Sequence, residues 1–171
     1  GASAGIGRAI ALRLAAEGVS VVVAARRADR LDAVAQEITR AGGRALPVVT
    51  DVAREEDVIR LAETARREIG PVDILVANAG GPAPGGFMAV DDAAWEHAIQ
   101  QNLMGTVRLM RAAVPPMRER GWGRIITITS RTVREAIDGL VLSNATRAGV
   151  AGAVRTLARE LARDGVTVNN V

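Results

Sequence analysis

The residues most suited to chemistry stand at the front of the chain. Gly1-Ala2-Ser3-Ala4-Gly5-Ile6-Gly7 is a glycine-rich loop running directly into an amphipathic helix. Three glycines let backbone approach a bulky anion, because no Cβ stands in the way. The free N–H groups opening the next helix point at that anion, and the helix dipole favours negative charge there. Such a loop usually follows a β-strand and holds the pyrophosphate of a dinucleotide, although glycine at a strand–helix turn is also useful without a ligand. A second charged feature is Arg26-Arg27, just after an apolar run. An acidic residue there would accept both ribose hydroxyls and repel a 2′-phosphate, whereas an arginine does the opposite. The plain alternative is a pair of exposed arginines opening a helix, a position where cations oppose the dipole.

What is absent narrows the chemistry further. There is no cysteine, so disulfides and thiolate metal sites are excluded, and a single histidine, His97, argues against a histidine metal site. The 22 basic residues are all arginine, set against 19 acidic ones for a net charge of +3, and they are mixed with Asp and Glu along helices. With aromatics at 2% and no basic run, the chain does not read as a nucleic-acid binder. Nor does it hold a signal-peptide pattern or an apolar run long enough to span a bilayer, which favours a cytoplasmic location.

The positioning elements follow from periodicity. Helices are expected over 7–17, 29–41, 54–69, 91–120 (in one or two pieces) and 143–163; strands over 19–25, 45–49, 72–77, 123–129 and 166–171. Continuous apolar strands separated by helices imply a parallel sheet covered on both faces, an α/β doubly wound, Rossmann-type fold in one domain, residues 1–171. The strand that should carry the glycine loop is missing before Gly1. The chain therefore reads as a fragment lacking its first strand and a C-terminal substrate region, incomplete at both ends.

Further segments fall in a matching order: Asp51-Val52 closing the second strand, Asn78-Ala79-Gly80 closing the third, Asn102 within a helix, Ser130 just past the fourth strand, and Asn169-Asn170-Val171 at the end. Together these resemble the short-chain dehydrogenase/reductase family along essentially the whole chain. The resemblance implies an oxidoreductase that binds NADP or NAD. In it Gly1, Ser3, Gly5, Ile6 and Gly7 form the pyrophosphate site, Asp51 and Val52 contact the adenine, and Asn78, Ala79 and Gly80 run beside the cofactor ribose. Ala77 stands where the family often has a second Asn. With Arg26 and Arg27, NADP is the expected cofactor.

The family's chemistry rests on a Ser, a Tyr and a Lys four residues after the Tyr, with an Asn upstream. This chain contains no Tyr and no Lys. Ser143-Asn144-Ala145-Thr146-Arg147 matches that stretch, so Ser143 stands in the Tyr position and Arg147 in the Lys position, while Asn102 and Ser130 remain. Arg147 stays charged and can hold ribose hydroxyls or a developing oxyanion, but does not deprotonate near neutrality. Ser143 is shorter and a poorer acid, and a water held by it could fill the gap left by the ring. Arg131, Arg134 and Glu135 are candidate polar helpers, and Ser143 or Asn144 could also cap the helix. The expected function is reduction of a carbonyl or oxidation of an alcohol on a small-molecule substrate, with 3-oxoacyl-carrier-protein-reductase-like relatives. The rivals are a catalytically silent NADP-binding regulatory or scaffold subunit, and non-redox chemistry on the same fold. A homodimer or homotetramer is expected through the helices around 102–118 and 145–163, whose apolar residues cover more than one face.

Overall fold

The computed structural model describes residues 1–171, which group into two compact units. The fold is mixed α/β with parallel sheets, as the alternation of strands and helices implies, and its five strands lie in two parallel sheets, one in each unit. Strands β1 (Val21–Ala25) and β3 (Ile74–Ala77) each pair with another strand on one side only. The nitrogens of Gly1 and Ala2 both donate to the Ala24 carbonyl of β1.

The first unit covers residues 1–51 and 56–71. It contains α1 (Gly5–Ala16), β1, α2 (Ala28–Arg40), β2 (Ala45–Val49) and most of α3 (Glu55–Glu68). β1 runs parallel to β2, with Val21 opposite Ala45 and Ala25 opposite Val49. Helix α2 makes the crossover, and it forms because Leu31, Val34, Ala35 and Ile38 share one face, all buried. It stops at Gly42, which holds φ +85°, a conformation that costs glycine little. The core joins these residues to Ala11, Ala15 and Val23.

The second unit covers residues 52–55 and 72–171. Its sheet orders β3, β4 (Gly123–Thr127) and β5 (Val166–Asn170), all parallel, with Ala77 opposite Thr127 and Thr127 opposite Asn170. Helices α5 (Gly105–Arg120) and α6 (Val141–Glu160) supply Met110, Met117, Val150 and Val154 to a core that also takes Ile125, Val166 and Val168. The 91–120 helical stretch does come in pieces. Helix α4 (Asp92–Ala98) starts on Asp91, whose carboxylate accepts the Ala94 N–H at 2.9 Å. Residues Ile99–Met104 then widen into a π-helix before α5 begins. Such π segments are rare and concentrate at functional positions.

Gly165 is the most demanding glycine of this unit. Its φ is +68°, and a Cβ there would lie 2.0 Å from the Gly121 carbonyl oxygen. Gly165→Ala should therefore destabilise by more than about 2 kcal/mol, from left-handed strain plus a backbone clash. A urea titration checks this as a lowered midpoint at unchanged slope, and an unchanged midpoint would contradict it.

Candidate active site

In the first unit the glycine loop enters α1 through Gly5, at φ +55°. The helix begins two residues earlier than periodicity suggested. Its N-cap, Ala4, offers no side-chain hydrogen bond, and no acidic residue stands in its first turn. The leading N–H groups of a helix have no partner within it, so this end remains a polar, electropositive cradle. Gly7 is buried, whereas Gly1, Gly5 and Ile6 are exposed and Ser3 is half-buried. Arg26 and Arg27 follow β1 and are exposed, and Arg27 reaches back so that its Nη2 donates to Ser3 Oγ at 3.1 Å. The cationic pair and the glycine loop are thus brought together. Asp51 closes this unit's second strand half-buried, with its N–H donating to Asp57 Oδ2 at 2.9 Å.

In the second unit the predicted residues converge on the ends of β3 and β4. Val52 is half-buried against Gly105, where an added Cβ would meet its Cγ2 at 2.8 Å. Asn78 and Ala79 leave β3 half-buried, and Gly80 is exposed. Asn102 lies in the π-helix, 1% exposed, and its Nδ2 donates to the Gly80 carbonyl at 2.6 Å. Its Oδ1 is buried without a hydrogen-bond partner.

Arg147 holds the same strand end from α6. Its Nη2 donates to the Ala79 carbonyl at 3.2 Å, and its Nη1 to the Ile128 carbonyl, just past β4, at 2.8 Å. The side chain is buried, its Nε has no partner, and it makes no ion pair. Burial draws the guanidinium below the usual arginine pKa. A buried cation without a carboxylate is costly unless something else balances it. It places positive potential where the two strands end.

Ser130 and Ser143 complete the cluster. Ser130 opens a short 3₁₀ turn, Arg131–Val133, and its Oγ accepts the Thr132 N–H at 3.3 Å. Ser143 lies one helical turn before Arg147 on α6, so both side chains leave the same face. Its Oγ stands 3.4 Å from Thr132 Oγ1. Thr132 is the residue that sequence reasoning missed. It is 5% exposed, whereas the proposed helpers Arg131, Arg134 and Glu135 are exposed to solvent.

Capping by Ser143 or Asn144 is overturned, because α6 begins earlier, at Val141, with no side-chain cap. Asn144 instead brackets Ile137, accepting its N–H at 3.3 Å and donating to its carbonyl at 3.1 Å. That clamp fixes the loop between Ser130 and α6. The loop is also held by Gly85, whose N–H donates to the Gly139 carbonyl at 2.6 Å.

The short chain dehydrogenase family matches residues 1–171. The chain belongs to the short-chain dehydrogenase family. It is 38% identical over 172 residues to a 3-oxoacyl-[acyl-carrier-protein] reductase FabG of Staphylococcus epidermidis, covering all of this chain and 70% of that protein. Against FabG of Escherichia coli K12 the identity is 40% over 171 residues, 69% of that protein. Among solved structures, the L-sorbose reductase of Gluconobacter frateurii complexed with NADPH and L-sorbose superposes with a TM-score of 0.95 at 38% identity. There the match covers 99% of this chain and 65% of that one. A metagenomic short-chain oxidoreductase in complex with NADP gives 0.95 at 34% identity, covering 99% of this chain and 77% of that one.

Proposed function

We propose that this short-chain dehydrogenase is an NADP-preferring oxidoreductase, 3-oxoacyl-carrier-protein-reductase-like in substrate class, that works through Asn102, Ser130, Ser143 and Arg147. The observation that carries this reading is Arg147. A buried guanidinium without a carboxylate partner, one helical turn from a serine hydroxyl, suits negative charge that appears only as the reaction proceeds. The family match over residues 1–171 takes in both units, and a single NADP-binding domain is part of the proposal.

The residues present suit NADP. An uncapped helix end with three glycines before and within its first turn accepts a diphosphate. Ser3, held by Arg27, and Ile6 line that loop. Arg26 and Arg27 offer charge-assisted hydrogen bonds to a 2′-phosphate. Asp51 and Val52 are assigned to the adenine; Asn78, Ala79 and Gly80 to the ribose, together with Arg147. The structural neighbours complexed with NADPH and NADP support the same choice.

When bound, the reduced cofactor supplies a hydride for a carbonyl carbon. The chain's own part is electrostatic and positional. Ser130 Oγ and Ser143 Oγ donate hydrogen bonds to the substrate oxygen, and Arg147 stabilises the negative charge gathering there. Ser143 is a poorer acid than a phenol, so a water beside its hydroxyl delivers the proton to that oxygen, and bulk solvent reprotonates the hydroxide left behind. Asn102 fixes the Gly80 carbonyl and with it the strand end that carries the ribose contacts. Without a phenol–lysine pair, the rate should fall roughly 10²–10⁴-fold below that of a site with a positioned acid. The absence of any Tyr or Lys favours one second reading, a silent NADP-binding regulatory subunit. NADPH oxidation by the full-length protein against a panel of ketones and 3-oxoacyl thioesters separates the two.

No helix is long and apolar enough to cross a membrane, and a cytoplasmic location is part of the proposal. So is a homodimer or homotetramer. Helices α5 and α6 frame a groove lined by Val107, Val114, Ala153 and Leu157, apolar side chains that remain partly open. Light scattering of the full-length protein at micromolar concentration should give at least twice the chain mass, and a monomeric mass would refute the assembly.

A further inference from the structure

Four helical threonines of this chain share a habit that Ser143 breaks. Thr39, Thr106, Thr146 and Thr156 each donate their hydroxyl to the carbonyl four residues back. That local bond is the usual fate of a helical hydroxyl. Ser143 sits in the first turn of α6, so the carbonyl four residues back belongs to Gly139, outside the helix. That carbonyl already accepts the Gly85 N–H at 2.6 Å. The hydroxyl of Ser143 has one side-chain partner, Thr132 Oγ1, at 3.4 Å. This is longer than the roughly 2.7–2.8 Å norm for hydroxyl pairs, as is common before a substrate closes on such a site.

Thr132 is suited to hold that hydroxyl. It is 5% exposed, its branched Cβ leaves few χ1 states, and its turn is fixed by Ser130, which accepts its N–H at 3.3 Å. One residue therefore touches both serines, its backbone on one and its hydroxyl on the other. With one acceptor direction of Ser130 Oγ taken by Thr132 N–H, the Ser130 proton is left for another acceptor. Nothing in the residue pattern Arg131–Glu135 marks Thr132 out; the geometry does.

We infer that Thr132 is a positioning residue that fixes the Ser143 hydroxyl for hydrogen bonding to the substrate oxygen. The inference rests on the proposed reductase reading and deepens it. The test uses full-length protein carrying Thr132→Val, Thr132→Ser and Ser143→Ala, with a Thr132→Val/Ser143→Ala double variant. Thr132→Val keeps the shape and removes the hydroxyl. It should lower kcat about 3–10-fold, the effect of one lost hydrogen bond, with the NADPH Kd unchanged. Thr132→Ser should stay within about twofold of the parent, because the hydroxyl is what matters. In the Ser143→Ala background, Thr132→Val should cost nothing further. A purely structural role would give the same loss in both backgrounds, and that result, or a Thr132→Ser variant as slow as Thr132→Val, would overturn the inference.

A second readout does not depend on turnover. In serine-labelled protein, with Ser143 assigned by its loss in Ser143→Ala, the two β-protons should show unequal couplings in the parent and in Thr132→Ser. They should average in Thr132→Val. Couplings alike in all three overturn the positioning role. A parent that binds NADPH but reduces nothing defeats the reductase reading alone, and the couplings then still decide the role of Thr132.

Discussion

Arg147→Ala should reduce kcat/KM by about 10²–10³, the range seen when one preorganised donor to a developing oxyanion is removed. It should also weaken NADPH binding by about tenfold, since a charged hydrogen bond contributes roughly 1.5–3 kcal/mol and its loss here is partly made good by water. The reason is geometric. The guanidinium spans the Ala79 and Ile128 carbonyls at 3.2 and 2.8 Å, and so joins the exits of β3 and β4. Only a planar fork does this while keeping a permanent charge. Arg147→Lys should therefore recover less than a tenth of the lost kcat/KM, because one ammonium cannot reproduce the fork. Ser143→Ala should leave NADPH affinity within about twofold, as a neutral hydroxyl adds little to cofactor binding. Fluorescence titration and steady-state kinetics read both effects, with a thermal melt confirming that each variant is folded. Unchanged NADPH affinity in Arg147→Ala would show that the ribose role belongs elsewhere.

The second large effect concerns the choice of cofactor. NADPH should bind about 10–100-fold more tightly than NADH, the factor expected of one or two charge-assisted contacts to a 2′-phosphate. Arg26→Asp should erase or invert that preference, placing a carboxylate where it accepts ribose hydroxyls and repels the phosphate. Arg26 is the cleaner choice because Arg27 also braces Ser3 at 3.1 Å, so Arg27→Asp should weaken both cofactors. Equal affinities for NADPH and NADH in the parent protein would contradict the role given to this pair.

Most elements were legible in the sequence because their burial is periodic. Helix α2 is set by Leu31, Val34, Ala35 and Ile38, and its bounds fall within one residue of expectation. The break in the 91–120 helix was legible, but its nature was not. Within the π-turn Asn102 reaches Gly80, a contact 22 residues away that no local pattern encodes. The strand partners were likewise invisible, since apolar runs reveal strands and not their pairing.

The candidate site followed the same rule. Ser130, Ser143, Arg147 and Asn102 were found by position in a family pattern, and the structure gathers them at the ends of β3 and β4. Thr132 was hidden among Arg131, Arg134 and Glu135, where charge drew attention to residues that remain exposed. Its burial comes from the 3₁₀ turn that Ser130 opens, and a threonine two residues after that serine was the only available signal. Asn144 carried a cap-forming side chain but spends it on Ile137, because α6 starts earlier than the matched stretch.

The central claim is that a serine, serine and arginine centre still supports hydride transfer on a site made for NADP. NADPH deuterated at C4 tests it in one measurement, by mass spectrometry of the alcohol formed by full-length protein from a 3-oxoacyl thioester or ketone. The account predicts one deuterium in the product, delivered from a single face of the nicotinamide, and its loss in Arg147→Ala. NADPH bound with no deuterium in any product across the panel would contradict it.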